Sequence, residues 1–405
     1  MILMWTKKGV ALLCIGFLLL FSGLVVKSYQ IVVFSVFIFS FLTISSFSLR
    51  KPEINAARLL TDEKLFEDGE TEIKLQMSGK GFLEIRDVLP KFVRIKHGTN
   101  RALFFLEKHK TYVLSYTVEC PLRGMYPIGP INVRCDDTFS LFYNEKNINS
   151  VSEMVVFPKI ENIKEVAVRS RTPRVMPGVI PVHMPGRGSE FYSMRDYVSG
   201  DPFKDINWKI YSRMRKMMVI QRIMETSSDI TIILDAREAS GVGSVLSNPL
   251  VYSARGVASL SSFFLRRRNN IKLVIYAADI KMVAPGYGER HLYKILNILA
   301  GTVSMGDMPL QGVVNTVLSR LTPKSPVILV SSLENDDSIK NAVKEITGRG
   351  FYLIILSPSP PDLSVLLKLE RENLISMLRG YNACVLDWEP DVPLSQTLEM
   401  IPLRR

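Results

Sequence analysis

A chain of 405 residues is long enough for two or three domains, and its 22% charged residues are ordinary for a globular protein apart from an apolar start. The formal net charge of +12 favours anionic partners: lipid headgroups, nucleic acid or acidic proteins. No zinc-finger or zinc-ribbon spacing accompanies that charge, which argues against a dedicated nucleic-acid reader. The cysteines, Cys14, Cys120, Cys135 and Cys384, form no C-x-x-C pair; Cys120 and Cys135 could pair within one β domain, but unlinked buried thiols are expected.

Residues 1–52 read as a transmembrane hairpin. GVALLCIGFLLLFSGLVV (residues 9–26) and QIVVFSVFIFSFLTISSFSL (residues 30–49) carry no charge. Each is close to the ~20 residues that cross a hydrocarbon core. The link Lys27–Ser28–Tyr29 allows only a tight turn. A cleaved signal peptide would account for the first run but not the second. Lys7 and Lys8 precede the hairpin, Arg50, Lys51 and Arg58 follow it, and only Lys27 lies between. The positive-inside rule then puts both ends in the cytoplasm, with the body of the protein under the cell membrane.

Residues 53–158 change to short alternating segments. EIKLQM (72–77), FLEIRDVL (82–89), FVRIKH (92–97), TYVLSYTVEC (111–120), INVRCDD (131–137) and SEMVVFP (152–158) read as strands. EDGE, SGKG, HGTN and RGMYPIGP read as the turns between them. Strands without helices predict a β-sandwich of immunoglobulin-like type, although no Cys…Trp…Cys pattern is present. Residues 159–188, with Pro173, Pro177, Pro181, Pro185 and several arginines, read as an extended linker.

Residues 229–405 alternate strand and helix. The strands are ITIILDA (230–236), IKLVIYAA (271–278), PVILVSSL (326–333), FYLIILSPS (351–359) and ACVLDWE (383–389). Amphipathic helices are predicted at 251–268, 290–301, 309–321, 337–348 and 363–378. Near-continuous apolar strands with helical crossovers predict a parallel, doubly wound α/β sheet. Ligands on such sheets gather at the strands' carboxyl ends, which here carry Asp235, Ala278 and the loop 331–337.

Between linker and sheet, residues 189–228 hold the densest motif, GSEFYSMRDYVSGDPFKDINWKIYSR (188–213). Asp201 is placed to cap a helix and Pro202 to open it. Phe203, Ile206, Ile210 and Met214 recur at helical spacing as one buried face, and Trp208 and Tyr211 make a second. Arg195, Asp196, Asp201, Asp205 and Arg213 are expected to pair as an ion network around this wedge. KMMVIQRIMET (216–226) alternates like a strand and is expected at the edge of the sheet. Basic residues exceed acids between Lys164 and Arg222, a sign that suits a membrane surface or an acidic partner as well as a solvated linker.

This motif resembles the signature of the family called domain of unknown function 58 (DUF58), roughly G-x-E-F-x-x-[LM]-R-x-Y-x-x-G-D-x-x-[KR]-x-I-x-W-[KR]-x-x-A-R. Glu190, Phe191, Met194, Arg195, Tyr197, Gly200, Asp201, Lys204, Ile206, Trp208, Lys209 and Arg213 fit it. Ser212 replaces the alanine, and Tyr211 a small residue. RGMYPIGP, DDTFSLF, VVFP and the apolar hairpin fit the rest of the family's pattern. The resemblance implies a membrane-anchored protein with a von Willebrand factor A-like domain, commonly encoded beside an AAA+ ATPase of the MoxR class.

It also raises the question of a metal. Von Willebrand A domains can hold Mg²⁺ through D-x-S-x-S, a threonine and a later aspartate, oxygen ligands that suit a hard cation. Asp235 fits the first position, but Arg237 and Ala239 occupy the next two. Gly306–Asp307–Met308 lacks the threonine, and Leu333 stands where the later aspartate belongs. No metal or other cofactor is expected; Arg237 is expected to take the cation's place, paired with Asp235 or with a partner's carboxylate.

The functional expectation is a non-catalytic membrane scaffold that recruits a MoxR-type ATPase or its clients. Arg195, Asp196, Tyr197, Gly200, Asp201, Asp205, Trp208 and Arg213 form its interaction element. The alternatives are a metal- or carboxylate-dependent enzyme around Asp196, Asp201 and Asp205, and a cell-envelope adaptor working without an ATPase. G-x-S-x-G is absent, which disfavours a serine hydrolase. His97, His109, His183 and His291 are scattered without metal spacing.

Overall fold

The computed structural model describes residues 4–48, 53–163, 180–226, 229–319, 321, 325–334, 338–359 and 365–399. The chain forms two compact units, Met1–Val156 and Phe157–Arg405.

The first unit begins with two helices, Lys7–Val26 and Tyr29–Ser48, each long and apolar enough to cross a membrane. The first starts two residues earlier than its uncharged run, because Thr6 accepts the Gly9 amide and caps it. Lys27, at φ 57°, turns the chain back. Gly9, Gly16 and Gly23 fall seven apart and are the buried residues of this helix. A Cβ on Gly23 would stand 2.9 Å from Val32 Cγ2, so the glycines let the helices approach closely. Arg50 and Lys51 lie outside the described residues.

The strands that follow are not the regular series of short segments expected. Residues 72–77 and 82–89 belong largely to one 19-residue strand, Gly69–Asp87. Its first half pairs with Glu53–Leu60 and Thr111–Cys120, its second with Arg101–Leu106 and Ile131–Asp136. SGKG reads as a turn by composition. Here its glycines let the strand change partners: the chain passes Glu53 O where a Gly79 Cβ would sit at 2.3 Å, and Gly81 adopts φ 117°. A smaller sheet joins Lys64–Phe66, Ser152–Phe157 and Gly124–Ile128. Ile73, Leu75, Ile85, Val118, Val133 and Met154 are among the residues of a single core. Cys120 and Cys135, both buried there, form no disulfide.

In that core Arg58 and Asp87 form a fully buried ion pair. Arg58 also donates to the carbonyls of Ile128 and Ser150 (2.7 and 2.6 Å), and the Tyr116 hydroxyl donates to Asp87 at 2.6 Å. Burial, with the Asp87 charge beside it, pushes the Tyr116 phenol well above its ordinary range.

The second unit is a six-stranded sheet in the order Ile280–Gly286, Asn270–Tyr276, Asp229–Asp235, Val327–Val330, Leu353–Pro358, Cys384–Trp388. Five strands run parallel and the edge strand Ile280–Gly286 antiparallel. One face packs Ile233, Val274, Leu329 and Ile355 against helices Leu310–Leu318, Ile339–Gly348 and Val365–Gly380. Helix Pro249–Arg266 covers the other, close enough that a Cβ on Gly256 would meet Leu356 and Trp388. Residues 157–163 lie along this unit: the Glu161 amide donates to Ser259 Oγ, and its carboxylate accepts the Leu394 amide.

Two expectations for residues 159–228 are corrected. Residues 180–188 are not linker but part of strand Ile180–Asp196, while 164–179 lie outside the described residues. Met218–Thr226 does not extend the six-stranded sheet; it pairs antiparallel with Ile180–Asp196 as a two-stranded arm. Alternation marks a strand but cannot name its partner, and the nearest chain segment won.

Candidate functional site

Two places carry the expected residues. The first is the carboxyl end of the sheet, where Asp229–Asp235 hands over to a short turn, Glu238–Gly241. Asp235 is 0% exposed and Arg237 1%. Arg237 Nε donates to Asp235 Oδ1 at 3.0 Å and Nη2 to Oδ2 at 2.8 Å, a bidentate pair. The Arg237 amide also donates to Oδ1 (3.1 Å), and Ser331 Oγ to Oδ2 (2.7 Å).

The surrounding loops close over the pair. Met305 donates to the Ala236 carbonyl, Glu238 to Gly306, and Gly306 holds φ 72° against Ala278. Arg237 Nη2 reaches the Glu334 carbonyl at 3.4 Å, and its guanidinium lies 5.5 Å from the Tyr276 ring centroid. Asp307 stays exposed, 3.9 Å from Arg237 Nη1. Leu333 is buried, its amide bonded to Ser331 Oγ. Residues 335–337 of this loop lie outside the described residues.

This donor set does not fit a divalent cation. Both Asp235 oxygens are engaged by N–H and O–H donors, and a guanidinium charge sits where the ion would bind. Glu334 is a further acid nearby, but burial raises its pKa, against the pull of Arg371. Arg371, which sequence reasoning passed over, braces the same strand ends. It donates to the carbonyls of Ser332 (2.6 Å) and Ser357 (3.1 Å) and to Asp387 Oδ1 (2.7 Å). Its only sequence signal is a charged residue at an inward position of an amphipathic helix.

The second place is the tip of the arm. Asp201 does not cap a helix. A 3₁₀ turn, Phe203–Asp205, comes first, and the helix is Trp208–Met214, capped by Asn207 through the Ile210 amide (3.2 Å). Asp201 instead receives both Arg195 Nη1 (2.7 Å) and Nη2 (2.6 Å), and the Val198 amide at 3.0 Å. These bonds hold its carboxyl below the usual carboxylate range, the Arg195 bond first. Gly200, at φ 109°, makes the turn that brings Asp201 back.

The expected five-residue ion network is two separate pairs: Arg195–Asp201, and Asp196 with Lys216 at 2.9 Å. Asp205 contributes its amide to the Pro202 carbonyl, and Arg213 is exposed. The two buried faces are also corrected. Only Ile206 is buried; Phe203 is 68% exposed, Met214 71% and Trp208 55%. Helical spacing shows which residues share a face, not whether anything covers it. Tyr197 stacks on Phe203 (centroids 6.2 Å) and Trp208 meets Tyr211 edge-on (6.0 Å). Tyr197 and Asn207 donate to the carbonyls of Met217 and Met218, tying the tip to the returning strand.

Residues 193–355 match the family described as Protein of unknown function DUF58. The DUF58 match thus begins inside the arm, takes in Asp235, Arg237 and Ser331, and ends in strand Leu353–Pro358. Among curated proteins nothing matches. Solved structures give partial likenesses. A FixG-related protein from Vibrio parahaemolyticus is 12% identical over 26% of this chain and 96% of its own, at TM-score 0.19. The CARDB domain of PF1109 from Pyrococcus furiosus is 14% identical over 27% and 91%, at 0.18. Proximal thread matrix protein 1 of the mussel byssus is 12% identical over 43% and 44%, at 0.32.

Proposed function

We propose that this DUF58-containing protein is a membrane-anchored, non-catalytic scaffold whose arm tip binds a protein partner, a MoxR-type AAA+ ATPase or one of its clients. In this reading the hairpin spans the cell membrane with both chain ends cytoplasmic, and the six-stranded unit is a von Willebrand A-like domain whose cation is replaced by Arg237.

The observation that carries the reading is the composition of the tip surface. Phe203, Trp208 and Met214 are exposed among the exposed cations Lys204, Lys209, Arg213 and Arg215. A Trp–Tyr pair with arginine neighbours is the make-up of an interface hot spot, and the cations suit an acidic partner. The signature's acids support the same role. Asp201 is engaged by Arg195 and held ionised, which suits a brace rather than a general acid.

The test is photo-crosslinking from a benzophenone side chain at position 208 of the full-length protein in its native membrane, with and without ATP. An ATP-dependent adduct with an AAA+ ATPase is expected. Phe203→Ala with Met214→Ala should abolish it without moving the melting temperature, because both side chains are exposed. An adduct missing under both nucleotide conditions would overturn the proposal.

A further inference from the structure

The loop Asp137–Phe142 is packed onto the ends of the two apolar helices where the hairpin meets the β domain. Asp137 accepts the Ser45 hydroxyl from the second helix. Thr6, which caps the first helix, donates from Oγ1 to the Ser140 carbonyl (2.7 Å) and from its amide to Leu141 (3.0 Å). Met4–Trp5 adds a short antiparallel strand to Phe142 and Tyr143. Leu141 and Phe142 are buried in one cluster with Ile38 and Leu42. The helix closes on the loop backbone at Gly9, where a Cβ would stand 2.3 Å from the Leu141 carbonyl oxygen.

Two features of this loop point beyond a simple joint. First, its ring goes deep: Phe139 lies against Phe41, centroids 4.8 Å apart, yet remains 52% exposed. Phe41 precedes the helix end at Ser48 by about 10 Å of helical rise, at ~1.5 Å per residue. Second, most of the loop's amides are bonded within it. The amides of Leu141 and Phe142 donate to Asp137 Oδ1 (2.6 and 2.9 Å), Phe139 to Oδ2 (3.4 Å) and Ser140 to the Asp137 carbonyl (3.0 Å). Backbone groups bonded within the protein lower the cost of bringing a loop up to hydrocarbon, where unsatisfied ones are excluded. Lys7 and Lys8 stand exposed at the first turn of the neighbouring helix, where lipid phosphates would lie.

We infer that Asp137–Phe142 is a membrane-inserted wedge: Phe139 enters the acyl region beside Phe41, and the loop holds the β domain against the bilayer. The ligand is the lipid bilayer itself. The inference rests on the reading that the hairpin spans the membrane. It adds that a loop from outside the hairpin shares the hydrocarbon with it, so the β domain is docked at the membrane rather than tethered below it.

Nitroxide labelling tests this in full-length protein reconstituted into phosphatidylethanolamine–phosphatidylglycerol vesicles, with Cys14→Ser and Cys384→Ser removing the accessible thiols. Labels go on Phe139→Cys, on Leu18→Cys within the first helix, and on Val151→Cys on the β domain. Position 139 should match position 18, more accessible to oxygen than to a water-soluble nickel chelate, and position 151 should show the reverse. A water-like label at 139 beside a lipid-like label at 18 overturns the wedge and leaves the spanning hairpin intact. Water-like labels at both overturn the spanning reading, and the wedge with it.

Discussion

Replacing Arg237 by Met measures what the guanidinium does at the strand ends. Asp235 is completely buried, and four donor contacts reach it: two from the Arg237 side chain, one from the residue-237 amide and one from Ser331. Met fills much of the same volume but removes the two side-chain donors and, among the described residues, the countercharge bonded to Asp235. Breaking one side of a buried pair costs about 3–5 kcal/mol. The two surviving donors place this case near the lower end, about 3 kcal/mol. For a unit of this size each kcal/mol lowers the melting temperature by roughly 2–4 °C, so a fall of roughly 6–12 °C is expected. Trp388, buried in the same unit with its indole donating to the Val392 carbonyl, reports the transition by fluorescence in the detergent-solubilised full chain. The second arm is Asp235→Asn combined with Arg237→Met. Removing the stranded charge should recover part of the loss, by about 1–3 kcal/mol of coupling. Millimolar Mg²⁺ should leave the parent protein's transition unmoved. An Arg237→Met protein that melts within about 1 °C of the parent, or a double variant whose loss equals the sum of the singles, would refute a charge-balancing role.

Two further tests probe a half-buried acid and a buried one. Burial raises the Glu334 pKa, so the folded state holds that proton more tightly than the unfolded chain. This penalty is absent below the unfolded-state pKa and grows as pH rises through the folded one, so Glu334→Gln should raise the melting temperature at neutral pH and lose its advantage in acid; equal gains at both pH values would count against it. In the β domain, Arg58→Met should destabilise by about 3–5 kcal/mol, because it strands a fully buried Asp87, whereas Tyr116→Phe removes one hydrogen bond to that carboxylate and should cost about 1.5–3 kcal/mol. Denaturant melts of the two variants would be expected in that order, and the reverse order would sink the assignment.

The parts legible in the sequence were those written in burial. ITIILDA and FYLIILSPS are apolar on both faces because helices cover both faces, and each strand was placed within two residues at either end. The edge strand Ile280–Gly286 was missed because its exposed face carries Lys281 and Pro285, so it lacks the continuous apolar run of its neighbours. SGKG misled because glycine favours turns and partner-switching strands for the same reason, its freedom near a neighbouring backbone. At the arm tip, Asp201–Pro202 has the composition of a helix start. Arg195 competes for the carboxylate, however, and a guanidinium 2.6 Å away outbids a helix amide. Arg371 was not legible at all, since what makes it matter is the convergence of Ser332 from a loop with Ser357 and Asp387 from two neighbouring strands.

On the reading that Arg237 stands in for a cation, its fixed charge bears on how a scaffold of this kind would be controlled. A divalent ion at strand ends binds reversibly, and a partner's carboxylate can complete its coordination, so occupancy can gate adhesion. A guanidinium neither dissociates nor titrates, and this one is 1% exposed with its fork already closed on Asp235. Displacing Asp235 from Nε and Nη2 would leave a buried carboxylate unpaired at a cost of several kcal/mol, and Nη1 already lies 3.9 Å from Asp307. On the scaffold reading, partner contact at this end is then not ion-gated, and the fixed charge serves to hold the loops 237–241 and 331–334 in one conformation. On the scaffold reading, any switching of affinity then has to come from the partner. This is why the crosslinking experiment at position 208 is run with and without ATP: a nucleotide-dependent adduct is the outcome that a permanently locked strand end requires.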